Sequence, residues 1–212
     1  MSAAAAPTRR VGIVVFDDAE VLDVAGPYEV FSVTGRREGL EPFEVLLVAA
    51  TPDDVVGRHR FVFTPHATFE TAPRLDLLCI PGGIGTRRLV HDERTVRWVA
   101  TRAHEAELVL SVCTGSLVLA RAGLLQGLAA TTHHSALAEL EQLAPDTEIR
   151  PTSRVVDNGQ VICSAGVAAG IEMSLHVVER LLGHAVAVET AAYIEYPWYP
   201  GQGVWRRGAA EG

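Results

Sequence analysis

Small residues flank a single cysteine in Ser111-Val112-Cys113-Thr114-Gly115, where an apolar run gives way to a helical pattern. That is the sequence form of a nucleophile elbow: a strained turn between strand and helix in which only small neighbours let the backbones approach. A helix starting behind the sulfur presents free N–H groups and a positive dipole end, which favours thiolate over thiol. The same pattern also suits a buried structural cysteine, because free cysteines are among the most buried residues. Pro81-Gly82-Gly83-Ile84-Gly85 follows another apolar run, and its glycines would let a backbone N–H approach a ligand. The Gly83 and Thr114 amides could then form an oxyanion pocket beside the sulfur.

Asp23 comes after the first apolar run, ahead of Val24-Ala25-Gly26-Pro27. It reads either as the N-cap of a helix or as a carboxyl that moves a proton beside Cys113. Linear sequence does not decide between them. Nothing in the spacing of His133-His134 puts an imidazole within reach of the sulfur, as a Cys–His dyad would need. Cys79 and Cys163 sit in apolar runs and read as core.

The elements that would position these groups follow from hydrophobic patterning. Residues 11–16, 43–49, 75–80 and 108–112 are short apolar runs ended by turn residues or helix starts, which suits strands covered on both faces. Between them, residues 94–106 and later 170–182 carry apolar side chains at helical spacing. This alternation predicts an α/β fold: a doubly wound, mostly parallel sheet with helices on both faces. In such a sheet the strand ends bearing Asp23, Gly83 and Cys113 gather at one edge. Residues 154–164 read as a hairpin turning at Asp157-Asn158-Gly159, because Asn-Gly supplies the positive φ a tight turn requires. Residues 60–69, with Pro65, read as a hairpin or edge excursion. Residues 1–10 read as a disordered lead, 11–196 as the domain, and 197–212 as an irregular tail. The aromatic residues of that tail, Trp198, Tyr199 and Trp205, pack on their own domain or cover a pocket or a partner.

Composition narrows the function classes. The chain has 212 residues, 48% of them hydrophobic, enough for one globular domain with a substantial core. A net charge of −8 argues against direct nucleic-acid binding, which needs clustered Lys and Arg. No uninterrupted apolar stretch is long enough to span a membrane. Three cysteines with no CxxC pair suggest neither a disulfide framework nor a thiolate metal site, and match a reducing, cytoplasmic compartment.

Taken together, Leu22-Asp23 with Gly26-Pro27, Cys79-Ile80-Pro81-Gly82-Gly83, the long run from Ser111 to His133, Ala165-Gly166-Val167 through Glu172, and Glu195-Tyr196 carry a likeness. Over nearly its whole length the chain resembles the ThiJ/PfpI superfamily, also called class I glutamine amidotransferase-like, and within it the isonitrile (isocyanide) hydratase branch. The resemblance implies a flavodoxin-like sheet, a homodimer and a small-molecule substrate. It implies Cys113 as nucleophile, Asp23 as acid/base, and Gly82, Gly83, Thr114 and Val167 shaping the substrate pocket. The implied reaction adds water to an isonitrile through a cysteine thioimidate, giving an N-substituted formamide without metal or organic cofactor. Protease-like relatives carry His directly after the cysteine; here Thr114 stands there, against peptidase chemistry. Ser164-Ala165-Gly166-Val167 is similar to the amidase-like sensor half of AraC-type regulators. The alternative is therefore a non-catalytic module that senses a small molecule.

Overall fold

The computed structural model describes residues 8–36 and 39–208. Its first strand, β1 (Arg9–Val14), feeds the helix α1 (Val21–Val33) and returns as β2 (Phe43–Ala49), parallel to β1 with Val11 beside Val45. A small antiparallel hairpin, β3 (Val55–Val56) with β4 (Val62–Phe63), precedes β5 (Ala67–Thr68), which lies along the edge of β2. This is the expected excursion around residues 60–69; its tip turns through positive φ at His59 and Arg60.

The chain then crosses to the other side of β1. Strand β6 (Leu77–Ile80) pairs with β1, and α2 (Thr86–Leu89) and α3 (Glu93–Glu105) lead to β7 (Leu108–Val112). Helix α4 (Gly115–Arg121) follows after only two residues. A two-strand ribbon, β8 (Ala129–Ala130) with β9 (Glu148–Ile149), brackets α5 (Leu137–Leu143). The antiparallel hairpin β10 (Val155–Asp157) and β11 (Val161–Ser164) places β11 against β7. It turns where expected: Gly159 has φ +98°, and its N–H donates to Asp157 Oδ1 at 2.8 Å. Helices α6 (Ala169–Leu182) and α7 (His184–Tyr193) follow, and β12 (Val204–Arg206) pairs in parallel with β10.

The sheet order is β12-β10-β11-β7-β6-β1-β2-β5, parallel except for the β10–β11 hairpin. From β1 the chain winds outward first through β2 and then, on the other side, through β6 and β7. With right-handed crossovers this reversal puts α1 on one face and α3 on the other. Accordingly α1 packs with α6 and α7 in one layer, while α2, α3 and α5 pack around or beside α4 in the other. Side chains on both sheet faces are fully buried, among them Ile13, Leu77, Leu78, Leu110 and Ile162. That is why these strands read as continuous apolar runs rather than alternating ones.

Two expected boundaries change. Arg9 and Arg10, assigned to the disordered lead, already belong to β1, where both form ion pairs: Arg9 with Glu107 at 2.7 Å and Arg10 with Glu44 at 2.9 Å. Residues 1–7 of that lead lie outside the described residues. The stretch after Tyr196 is not wholly irregular, since β12 forms there. Trp205 of β12 lies under the Arg150 guanidinium, 4.6 Å from its ring centre, and Trp198 packs on the core, whereas Tyr199 is exposed. No helix among the described residues is long and apolar enough to cross a membrane.

Candidate active site

The reversal point between β1 and β6, with β7 beside it, is where a doubly wound sheet opens a crevice at its carboxyl edge. Cys113 stands there, between β7 and α4, with φ +56°. Several contacts fix this strained backbone. Its N–H is shared between the carbonyls of Ser164 (3.2 Å) and Ala165 (3.1 Å). Its C=O accepts from Thr132 Oγ1 at 2.9 Å and Ser116 Oγ at 3.2 Å. Gly115 completes the elbow, because a Cβ there would stand 2.0 Å from the Ile80 carbonyl oxygen. On the other layer Gly170 lets α6 close on Val112, whose Cγ1 would be 2.9 Å from an added Cβ. Strain held by so many independent contacts is the usual mark of a functional position.

Asp23 reaches the same place from the first turn of α1. It is not the N-cap, which is Glu20, and its side chain does not bond to its own helix. Instead Asp23 Oδ2 accepts the Gly82 N–H at 3.0 Å, across from β6. The start of α1 is tied to that loop by Glu20 N–H on Gly82 O at 2.8 Å and by the Ala19–Gly83 bridge. Pro27, inside α1, has no N–H for the Asp23 carbonyl one turn back. Gly26 lets α1 approach α6, with Ile171 Cγ1 3.0 Å from where a Cβ would be. The Leu22-Asp23 and Gly26-Pro27 pattern thus sets a helix tightly packed and aimed at the β6 loop.

Gly82 is the point where the parts meet. A Cβ there would lie 2.6 Å from Thr114 N, 2.7 Å from Thr114 Oγ1 and 2.8 Å from Asp23 Oδ2. Gly83, at φ +124°, plays a different part from the one expected. Its N–H is committed to Thr114 Oγ1 at 3.0 Å, so it does not face a substrate. The buried Thr86 hydroxyl closes this knot, 2.8 Å from Gly83 O and 3.1 Å from Thr114 Oγ1. The amides acting on the Cys113 sulfur are those of Thr114 and Val167. Val167, in the β11–α6 loop, is itself at φ +50°. The structure therefore brings Cys113, Asp23, Gly82, Thr114 and Val167 together, and gives Gly83 a supporting place behind Thr114.

Burial governs the electrostatics. Asp23 is fully buried, and loss of water raises its carboxyl to about 7 against the pull of the Gly82 N–H and the Cys113 thiol; Glu20 adds to the rise. Cys113 is 6% exposed, and burial together with the neighbouring Asp23 charge pushes its thiol up to about 12. Burial and the neighbouring carboxylate therefore work against the thiolate that the helix start favours. The Thr114 and Val167 amides favour the anion, but desolvation and a carboxylate next door outweigh them. Burial thus favours the protonated form of both partners, and Asp23 Oδ1 has no hydrogen-bond partner. Such a pair can take a proton from sulfur and pass it on.

Spacing alone did not bring His133 to this edge. Its ring packs on Gly166, where an added Cβ would be 2.2 Å from His133 Cδ2. The neighbouring Thr132 hydroxyl is the one on the Cys113 carbonyl. Glu20, Thr86 and Thr132 had no signal in the sequence beyond being polar residues near a motif. Cys79 and Cys163 are buried in strands; burial pushes both thiols up. Among the described residues, no three His, Cys, Asp or Glu side chains gather as metal ligands would.

Comparisons with known proteins agree with this architecture. Isonitrile hydratase from Pseudomonas putida is 36% identical over 188 residues, covering 88% of this chain and 78% of that protein. The HTH-type transcriptional regulator GbdR of Pseudomonas aeruginosa is 26% identical over 188 residues, 89% of this chain but 51% of the regulator. The crystal structure of a ThiJ/PfpI family protein from Pseudomonas syringae superposes with a TM-score of 0.81 at 32% identity, covering 92% of this chain and 78% of that one. The model of the DJ-1/PfpI family matches residues 9–180, and with an elbow cysteine and a facing carboxyl at the sheet edge the chain belongs to that family.

Proposed function

We propose that this chain is an isonitrile hydratase, with Cys113 as nucleophile and Asp23 as proton carrier. The observation that carries the reading is the buried carboxyl beside the elbow thiol, raised to about 7, with one oxygen free of hydrogen bonds. An isonitrile carbon must gain both a nucleophile and a proton. As sulfur bonds to that carbon, Asp23 takes the thiol proton and delivers it to the same carbon, giving the thioimidate R–N=CH–S–Cys113. Water then adds to the carbon and a proton reaches nitrogen. Collapse breaks the C–S bond, returns a proton to sulfur and releases R–NH–CHO. Two modest steps replace one difficult hydration. The 36% identity to isonitrile hydratase supports the same reading.

The test is formamide release from a panel of alkyl and aryl isonitriles. Wild-type protein is expected to turn over, and Cys113→Ala to be inactive; a wild-type protein inert across the panel removes the proposal. A second reading, a ligand-sensing module without turnover, is favoured by one observation, the likeness to GbdR. Saturable binding of an isonitrile with no formamide and no adduct on Cys113 would select it.

A further inference from the structure

Sulfur and carboxyl come from opposite layers of the molecule, Cys113 from the start of α4 and Asp23 from α1, yet moving a proton between them needs a fixed relation. The backbone that joins them is the Gly82–Gly83 pair. The Gly82 N–H goes to Asp23 Oδ2 at 3.0 Å, and the next one, of Gly83, goes to Thr114 Oγ1 at 3.0 Å. We propose that Thr86 is the positioning residue of this site: its buried hydroxyl pins the Thr114 side chain and thereby aims the Thr114 amide at the Cys113 sulfur. The inference rests on the hydratase reading for its effect on turnover, and on the geometry alone for its effect on the thiol.

A carbonyl oxygen offers two lone pairs. Gly83 O already receives the Thr86 N–H at 3.2 Å and lies 3.1 Å from the Thr114 hydroxyl, so it does not need the Thr86 hydroxyl, 2.8 Å away, to be satisfied. The contact that nothing else replaces is the second one, from Thr86 Oγ1 to Thr114 Oγ1 at 3.1 Å. Thr114 Oγ1 accepts the Gly83 N–H on one lone pair. With the Thr86 O–H on the other, its own proton is left for Gly83 O, and the side chain has one orientation. Thr114 is also the N-cap of α4, where a threonine oxygen ordinarily bonds to an amide of its own helix; here it makes no such bond and is spent on the β6 loop. Its N–H, with no carbonyl of that helix to meet, serves the sulfur instead. Thr86 is a firm anchor for this arrangement. It is fully buried, and Gly85 presses the start of α2 on the loop after β1, where an added Cβ would stand 2.1 Å from Asp17 O. Without the hydroxyl, Thr114 gains freedom about χ1, its peptide tilts, and the amide parts from the sulfur. The carboxyl feels the change through the same glycines, since a Cβ on Gly82 would be 2.6 Å from Thr114 N and 2.8 Å from Asp23 Oδ2.

Three substitutions separate the hydroxyl from the bulk around it. Thr86→Val keeps the volume without the hydroxyl, Thr86→Ser keeps the hydroxyl without the methyl, and Thr86→Ala removes both. The substrate-free readout is the rate of iodoacetamide alkylation of Cys113 at pH 8, followed by peptide mass so that Cys79 and Cys163 are scored apart. With the thiol at about 12, that rate follows the small thiolate fraction. Loss of the Thr114 amide should lower it about 10-fold in the Val variant, one unit of thiol pKa, while the Ser variant stays close to wild type. With an isonitrile as substrate, kcat of the Val variant should fall about 10- to 100-fold at nearly constant KM, and the Ser variant should recover it. If the Val variant does not fold, the Ser and Ala variants put the same question, because both lack the methyl and only one keeps the hydroxyl. A role confined to packing predicts the reverse ranking, with Val like wild type and Ser impaired like Ala. Alkylation of the Val variant as fast as wild type or faster overturns the proposal, and so does a Ser variant no better than Ala. A wild-type protein that yields no formamide would instead remove the hydratase reading, and the alkylation ranking would still decide the part of Thr86.

Discussion

If Asp23 is destabilising because it is buried, neutralising it should strengthen the fold, and only above a certain pH. Its carboxyl goes from 3.8 in the unfolded chain to about 7 in the folded one. At ~1.4 kcal/mol per pH unit, that rise corresponds to a ceiling of about 4 kcal/mol. The sign follows from which state holds the proton. Well below pH 3.8 the carboxyl is protonated folded or unfolded, and nothing is lost. As pH climbs from about 4 to 7 the unfolded chain ionises first and is favoured, so wild-type stability falls. Asp23→Asn has no such titration and keeps an oxygen for the Gly82 N–H. Urea denaturation of both proteins at pH 4.5, 6 and 8 should therefore show a gap that widens with pH in favour of the variant, approaching a few kcal/mol at pH 8. The same variant should lose nearly all turnover. A gap that does not change with pH, or a variant less stable at pH 8, would refute this account of the site.

Other outcomes follow from the same geometry. Asp23→Asn should also bring the Cys113 thiol down from about 12, since the neighbouring carboxylate is the second cause of its elevation; the pH dependence of iodoacetamide alkylation would show it, and an unmoved profile would count against the pairing. Gly82→Ala should cost about 1–3 kcal/mol and most of the activity, because the new methyl must displace the Thr114 amide or the Asp23 carboxylate; equilibrium unfolding and turnover assays would measure both. Buried Asp157 holds His176 Nε2 and Arg180 at 2.8 Å each, and although burial opposes it these partners keep its carboxyl below the ordinary range. Asp157→Ala should therefore cost about 3 kcal/mol in denaturant unfolding while leaving the distant thiol's alkylation rate unchanged.

Strand β7 is legible to the residue because a strand covered on both faces must be apolar throughout; the bounds of β2 are legible too, although its Glu44 is exposed and Val45, Leu46 and Leu47 are half-buried. The hairpin at Asp157-Asn158-Gly159 was legible for another reason: its turn chemistry is local. The elements that escaped lack such constraints. Strand β12 is three residues, Val204–Arg206, in a Gly-rich stretch, and it exists only because β10 offers a ladder. At the site, Cys113, Gly82 and Gly115 announce themselves through small neighbours and tight turns. Asp23 was visible as a carboxyl but not as a buried one: its raised value comes from what α1 packs against, which no local pattern records. The bond from the Gly83 amide does not show in the sequence, because its partner, the Thr114 hydroxyl, is distant along the chain. Nothing in its spacing points to the place of His133, whose ring packs on Gly166 of the β11–α6 loop, 33 positions further along.

The sheet ends in very short strands on both sides, β5 with two residues and β12 with three. A long open margin would invite a neighbouring molecule to add a strand and grow into aggregates, and stubs of this size offer too few groups to template that growth. For anyone trimming the chain for crystallisation, cutting before Val204 would uncover β10, whose fully buried Val155 and Val156 would become a sticky border. Turbidity on concentration should then appear in the shortened protein and not in the whole one.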